Sequence, residues 1–159
     1  MSDVTLVPAP DAALAALANG SAPAGLALPD GGLESPDVLA MLGNLAAAIR
    51  PDFDPAAWLV VADGECVGLL SLVKLPAEGR ITIGYGIAPA RRRRGHATAA
   101  VRALCDWARQ DRRVATVLAE TGTANLASQR ALAANGFACI GSRDDPDDGP
   151  LLRWSLATG

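Results

Sequence analysis

Aromatic residues are scarce: three tryptophans, two phenylalanines and one tyrosine among 159 residues. Alanine, leucine and valine must therefore fill the core. Trp58, Trp107 and Trp154 fall on three separate predicted elements and read as packing residues rather than a stacking platform for nucleic acid. Histidine is represented once, by His96, and cysteine by Cys66, Cys105 and Cys139, far apart and without a Cys-x-x-Cys pair. Neither a zinc or other metal site nor a disulfide framework is expected, and the thiols read as small buried hydrophobes in a reducing, cytoplasmic setting. A run of about 18 apolar residues is missing, so no membrane span or membrane partner is expected. The opening stretch MSDVTLVPAP has no basic segment followed by an apolar core, so no signal peptide is expected. There is no basic excess either: the net charge of −3 argues against a nucleic-acid partner. Two nucleotide motifs are also lacking. No Gly-x4-Gly-Lys-Ser/Thr occurs, and Gly84-x-Gly86 lacks a third glycine and runs into Pro89.

What is present is a foldable chain, 50% hydrophobic and 19% charged, of a length that suits one domain over residues 1–159. Val4 to Val7 predicts a first strand, and Asp11 to Asn19 a short helix closed by Gly20. Gly20 to Gly32 reads as loop. Ser35-Pro36-Asp37 combines a cap, a proline at the first helical position and an acidic first turn, and starts a helix that runs to Arg50. Trp58 to Ala62 and Cys66 to Val73 flank Asp63-Gly64, a hairpin signal. Arg80 to Ile87 alternates, with Ile81, Ile83, Tyr85 and Ile87 on one face and Thr82, Gly84 and Gly86 on the other. Gly95 to Gln110 follows helical spacing, with Ala97, Ala100, Val101, Leu104 and Ala108 on one stripe. Val114 to Ala119 predicts a strand, Asn125 to Asn135 a helix ended by Gly136, and Phe137 to Gly141 and Leu151 to Leu156 the last strands, joined by an acidic turn from Arg143 to Gly149. This order gives an α/β fold: a mixed, mostly antiparallel sheet of six or seven strands with about four helices on its faces.

The densest local feature is Arg91-Arg92-Arg93-Arg94-Gly95-His96-Ala97-Thr98 at a strand-to-helix junction. Free N–H groups and the positive end of the helix favour an anion there, and Gly95 and Ala97 keep side chains out of its way. A run of four arginines also serves as a solvated turn; among them Arg92 and Arg94 are favoured over Arg91 and Arg93 as anion contacts.

The pattern Arg92-Arg93-Arg94-Gly95-His96-Ala97 resembles the Q/R-x-x-G-x-G/A signature of the GNAT N-acetyltransferase superfamily. The stretch Glu120-Thr121-Gly122-Thr123-Ala124-Asn125-Leu126-Ala127-Ser128, followed by Asn135-Gly136-Phe137, resembles the E-T-x-x-x-N-x-x-S…G-F stretch of its Rim-type branch of ribosomal-protein N-acetyltransferases. Ile83-Gly84-Tyr85-Gly86-Ile87-Ala88-Pro89 resembles that branch as well. The likeness runs from about Ala57 to Leu156.

It implies transfer of acetyl from acetyl-CoA to a primary amine, by direct attack in a ternary complex; no cysteine lies in either motif to carry an acetyl group. The acceptor is left open between a small-molecule amine and a protein N-terminus. The resemblance implies coenzyme A phosphates on Arg92, Arg93, Arg94, Gly95, His96, Ala97 and Thr98, the pantetheine arm along Ile87 and Ala88, and further cofactor contacts from Asn125 and Ser128. It implies the Ile87 backbone N–H as oxyanion donor. Glu120 is the candidate base, or else a structural carboxylate. Ser128 is the candidate acid, or else a first-turn hydroxyl bonded to backbone. Tyr85 reads as a wall or substrate contact, Asn125 first as a helix cap, and His96 as a loop side chain rather than a base.

The sequence departs from the family where Leu132 stands in place of a tyrosine acid, and where Thr82 and Ala99 stand in place of glutamates. Those losses sustain an alternative, a catalytically degenerate CoA-binding sensor or interaction module. Residues 57–156 are expected to form the CoA-binding core and residues 1–55 the substrate side. Asp144, Asp145, Asp147 and Asp148 either draw a cationic amine or form a solvated loop. A monomer and a homodimer are both compatible with the sequence.

Overall fold

A computed structural model describes residues 3–159. Its order is β1 (Thr5–Pro8), α1 (Asp11–Ala18), α2 (Pro36–Ile49), β2 (Ala57–Ala62), β3 (Glu65–Leu72), β4 (Arg80–Ile87), a 3-10 turn (Pro89–Arg91), α3 (His96–Gln110), β5 (Thr116–Gly122), α4 (Leu126–Ala134), β6 (Ala138–Asp145) and β7 (Gly149–Ala157). The strands form one seven-stranded sheet in the order β1-β2-β3-β4-β5-β7-β6. Among the described strands, only β4 and β5 pair in parallel, and α3 makes the crossover between them.

Local chemistry accounts for the elements. Asp63 and Gly64 both take positive φ, 51° and 77°, which suits the tight turn joining β2 to β3. Ser35 caps α2 by accepting the Val38 N–H at 3.3 Å, with Pro36 in the first turn. Gly68 on β3 admits no side chain, since a Cβ there would lie 2.5 Å from the Gly86 carbonyl oxygen. That close approach fixes β3 against the functional end of β4.

Ile81, Ile83 and Tyr85 face α3 and α4, where Leu70, Leu72, Leu104, Val117 and Leu132 complete the core. The opposite face of β3 and β4 meets α2. The helical stripe of α3 buries Ala100, Val101, Leu104 and Ala108 as its spacing predicts, with Cys105 beside them.

Several expectations need correction. The last hairpin is longer than its composition suggests: Arg143↔Leu151, Asp144↔Pro150 and Asp145↔Gly149 are paired residues of β6 and β7. The acidic turn shrinks to residues 146–148 because the Asp145 carboxylate accepts the N–H groups of Asp147 and Asp148 at 2.9 and 3.0 Å. β5 runs on through Glu120 to Gly122, held by β7. Cys66 and Cys105 are buried as expected, but Cys139 is exposed, because β6 lies at the sheet edge. The tryptophans do serve packing: Trp58 and Trp107 meet edge to face at 5.0 Å, and Phe53 meets Trp107 at 6.4 Å.

Candidate active site

The β4–β5 ladder extends only from Arg80↔Thr116 to Ile83↔Ala119. Beyond that point β4 remains paired to β3 and β5 to β7, so the two strands diverge and open the sheet. The register decides which backbone groups face the opening. Gly68 opposes Ile87, and the Ala88 N–H is bonded to the Val67 carbonyl at 2.7 Å. In an antiparallel ladder the residues bonded to the partner alternate with those turned outward. Tyr85 and Ile87 therefore direct their backbone N–H and C=O groups into the gap. The Ile87 carbonyl is taken by the Arg92 Nε–H at 3.1 Å, which leaves its N–H as the donor. Ala88 differs from its expected role: it is fully buried and its N–H belongs to the ladder, so it offers no donor to a ligand.

The arginine run divides by function. Arg91 is bidentate to Glu65, at 2.8 and 2.9 Å, and pins the 3-10 turn to the start of β3. Hydrogen bonding to Arg91, the first cause, lowers the Glu65 pKa. Arg92 braces Ile87. Arg93 and Arg94 are exposed, with Arg93 at φ 65°, a left-handed conformation uncommon outside glycine. Gly95 follows at φ 79° as the N-cap of α3 and supplies no side-chain cap. The first helical bond runs from the Ala99 N–H to the Gly95 carbonyl at 3.0 Å, so the N–H groups of His96, Ala97 and Thr98 precede the intrahelical ladder. The His96 side chain does not sit in the loop. It is buried in the fold, and burial, with Arg94 next, lowers its pKa, so only the His96 backbone faces the open end of α3.

On the β5 side, Asn125 caps α4 by accepting the Ser128 N–H at 3.2 Å. The Ser128 carbonyl accepts the Tyr85 hydroxyl at 3.2 Å, so the lone tyrosine spans from β4 to the first turn of α4. Burial raises the Tyr85 pKa, and its phenol is neutral at pH 7. Glu120 and Arg143 form a bidentate pair, with Arg143 Nη2 2.8 Å from Glu120 Oε1, and Asp145 holds Arg143 from its other side at 3.2 Å. Hydrogen bonding from Arg143 lowers the Glu120 pKa, and Arg153 and Lys74 lower it further. Glu120 is thus ionised but weakly basic.

Residue patterns alone do not point to Arg143 or Gln129, and they give Asn135 only as a helix end beside Gly136-Phe137. Gln129 Nε2 donates to the Gly122 and Thr123 carbonyls at 3.1 and 3.0 Å and fixes the turn that leads into α4. Asn135 Nδ2 donates to the Thr98 carbonyl at 3.1 Å and ties the end of α4 to the first turn of α3.

Two hollows lie on the sheet face opposite α3 and α4. One, of about 250 Å³, is bounded by Lys74, Thr82, Glu120, Arg143 and Arg153; the other, of about 210 Å³, lies between α2 and Val73, Gly84 and Gly86.

The Acetyltransferase (GNAT) domain model matches residues 33–138. The chain belongs to the GNAT acetyltransferase family. Solved structures of similar fold cover nearly its whole length. RimL, a ribosomal L7/L12 alpha-N-protein acetyltransferase solved with coenzyme A, aligns with 98% of this chain and 94% of its own at TM-score 0.72 and 17% identity. A chimeric spermidine N-acetyltransferase SpeG from Vibrio cholerae aligns over 99% and 96% at TM-score 0.73 and 16% identity. The aminoglycoside acetyltransferase AAC(6')-Ib in complex with ribostamycin and coenzyme A aligns over 98% and 93% at TM-score 0.69 and 21% identity. An alignment with its kanamycin complex is shorter, covering 64% of this chain and 65% of that one at TM-score 0.55 and 20% identity. Among curated proteins, none matches the sequence significantly. Among the described residues, no helix is long and apolar enough to cross a membrane.

Proposed function

We propose that this GNAT-family protein transfers the acetyl group of acetyl-CoA directly to a primary amine bound beside it. The observation that carries the proposal is the open β4–β5 gap, with the Ile87 N–H turned into it and the α3 N-terminus at its head. The donor set fits coenzyme A. The backbone N–H groups from Gly95 to Thr98 suit a pyrophosphate, the exposed Arg93 and Arg94 suit a further phosphate, Tyr85 presents strand-edge groups to a pantetheine amide, and the Ile87 N–H faces the acetyl oxygen. Coenzyme A bound in RimL and in AAC(6')-Ib supports the same assignment. Acetyl-CoA supplies the activated acetyl group.

The Ile87 N–H holds the negative charge that develops on the acetyl oxygen, and Arg92 occupies the Ile87 carbonyl with its own Nε–H. Ser128 gives a proton to the departing thiolate, and Tyr85 forms the wall that closes the gap against α4. Asn125 caps α4 and sets the position of Ser128. Glu120 accepts the proton of the amine. Its pairing with Arg143 makes it a weak base, and this limits the amines it serves. Neutralising a lysine-like amine at pH 7 costs about 4.6 kcal/mol, whereas an α-amine near pKa 7.8 costs about 1 kcal/mol. A low-pKa amine, free or at a protein N-terminus, is the favoured acceptor class. The N-terminal segment 1–55, through α2, and the β6–β7 hairpin form the walls on the acceptor side. A cytoplasmic setting is part of the proposal, in keeping with three free thiols.

The test is a thermal-shift titration with acetyl-CoA together with thiol release over a panel of primary amines. Stabilisation by acetyl-CoA and release with at least one amine are expected. No stabilisation at millimolar acetyl-CoA refutes the reading; stabilisation without release from any amine favours a CoA-binding module instead.

A further inference from the structure

The hollow beside Glu120 carries the opposite charge to the one a polycationic acceptor requires. Three cations, Lys74, Arg143 and Arg153, line it against one carboxylate, Glu120. That carboxylate already holds Arg143 through both oxygens, and Asp145 holds Arg143 as well. Asp145 is further engaged by the Asp147 and Asp148 N–H groups, so the acidic hairpin turn is organised around itself and Arg143 rather than around an incoming amine. Lys74 and Arg153 are exposed, and both lie near enough to Glu120 to act on its charge. They leave the hollow with unmatched positive charge. It opens on Thr82, at the last rungs of the β4–β5 ladder, one step from the gap where the acetyl group is placed.

We propose that this hollow is the acceptor site for a small primary amine that also carries a carboxylate or phosphate, with Lys74 and Arg153 as the residues that select it. The inference rests on the acetyl-transfer reading above. A carboxylate or phosphate between Lys74 and Arg153 forms charge-assisted hydrogen bonds, while a diamine or polyamine meets like charge. The same cations disfavour the protonated form of a nearby amine, which helps present it as a nucleophile where Glu120 is only weakly basic. A volume of about 250 Å³ suits a small molecule rather than a folded partner.

The test compares thiol release at saturating acetyl-CoA from an α-amino acid, its carboxamide, the matching diamine, an aminoalkyl phosphate and a peptide with an acidic N-terminus. The expected result is a kcat/KM at least about tenfold higher for the carboxylate or phosphate compound than for the carboxamide or diamine, the size of one charge-assisted contact. The carboxylate and phosphate arms tell the two anions apart. The double variant Lys74→Gln and Arg153→Gln should erase that preference through KM, with CoA affinity measured by calorimetry unchanged and the melting temperature retained. Equal or better turnover of the diamine or carboxamide overturns the inference and leaves acetyl transfer standing. Preference for the acidic peptide over every small anion overturns the small-molecule assignment. Thiol release from no acceptor overturns the acetyl-transfer reading, and this inference falls with it.

Discussion

Arg92 donates its Nε–H to the carbonyl of Ile87, five residues earlier, at 3.1 Å. The arginine run is thereby joined to the strand end that faces the gap. The bond holds the Ile87 peptide in one orientation, with its N–H available to an oxygen in the gap. Arg92→Ala should lower kcat more than it weakens CoA binding, because it frees the peptide that carries the donor. Loss of one such donor costs about a hundredfold or more in kcat; loss of its brace should cost less, roughly tenfold. Arg93→Ala and Arg94→Ala should behave in the opposite way, raising the KM for acetyl-CoA with kcat nearly kept. Steady-state kinetics with calorimetric CoA affinities separates the two patterns, and identical effects from all three substitutions would remove the division of roles.

Gly95 sits at φ 79°, with nothing within 4 Å of an added Cβ. The space is open, so the constraint is conformational. Gly95→Val should destabilise the fold by about 1–2 kcal/mol through left-handed strain and lower CoA affinity at least tenfold by moving the N–H groups that follow. Arg93→Gly removes a side chain from a similar left-handed position, φ 65°, and should leave the melting temperature equal or higher while weakening CoA binding. Thermal melts and calorimetry on both variants check this. Undiminished CoA affinity in Gly95→Val would eliminate the cradle.

How far the sequence spoke for itself follows from the range of the forces involved. The hairpin turn at Asp63-Gly64, the Ser35 cap and the α3 stripe are local, and their residues announce them. The turn at Gly95 that opens α3 is legible for the same reason. The Glu120–Arg143 pair is not, because it bridges residues 23 apart in the chain and exists only because β7 lies between β5 and β6. Composition also misread residues 143–149: a run of aspartates looks like a loop, yet a strand at the sheet edge tolerates charge on both faces. The burial of His96 was hidden too, since the first residue of a helix points its side chain according to tertiary packing.

The Glu120 pair sets an acid dependence of stability. Arg143 lowers the pKa of Glu120 in the folded chain below its ordinary value near 4.5. A carboxylate with a depressed folded pKa contributes stability that is present above its unfolded pKa and is lost as the pH falls through the folded one. Glu65, depressed by Arg91, acts in the same direction. These carboxylates alone should add a decline only below about pH 4.5, whereas buried His96, whose pKa is lowered from 6.5, should make stability begin to fall already as the pH drops below about 6.5. Arg143→Gln should return Glu120 toward its ordinary pKa and make the carboxylate decline shallower. The same variant should strengthen Glu120 as a base, so Glu120→Gln should cost more turnover in the Arg143→Gln background than in the native chain. Denaturant melts from pH 3 to 7 and a double-mutant cycle on kcat read both effects; a cycle with no coupling would dissociate Glu120 from the proton transfer.

Tyr85 and Ser128 offer the clearest separation of structure from chemistry. The Tyr85 hydroxyl donates to the main-chain carbonyl of Ser128, not to its side chain, so the bond braces α4 whichever residue stands at position 128. Tyr85→Phe removes that bond and should lower stability by about 0.5–1.5 kcal/mol. Its kcat should fall only a few-fold, since the phenol is held against the helix by an acceptor of its own. Ser128→Ala leaves the brace intact and should be nearly neutral in stability, yet it removes the hydroxyl assigned to the departing thiolate. Its kcat should fall by about 10²-fold, the lower range for a general acid. Viscosity-independent kcat values and melting temperatures for both variants decide the assignment. A large kcat loss in Tyr85→Phe with little in Ser128→Ala would reverse it, placing the acid on β4 instead of α4.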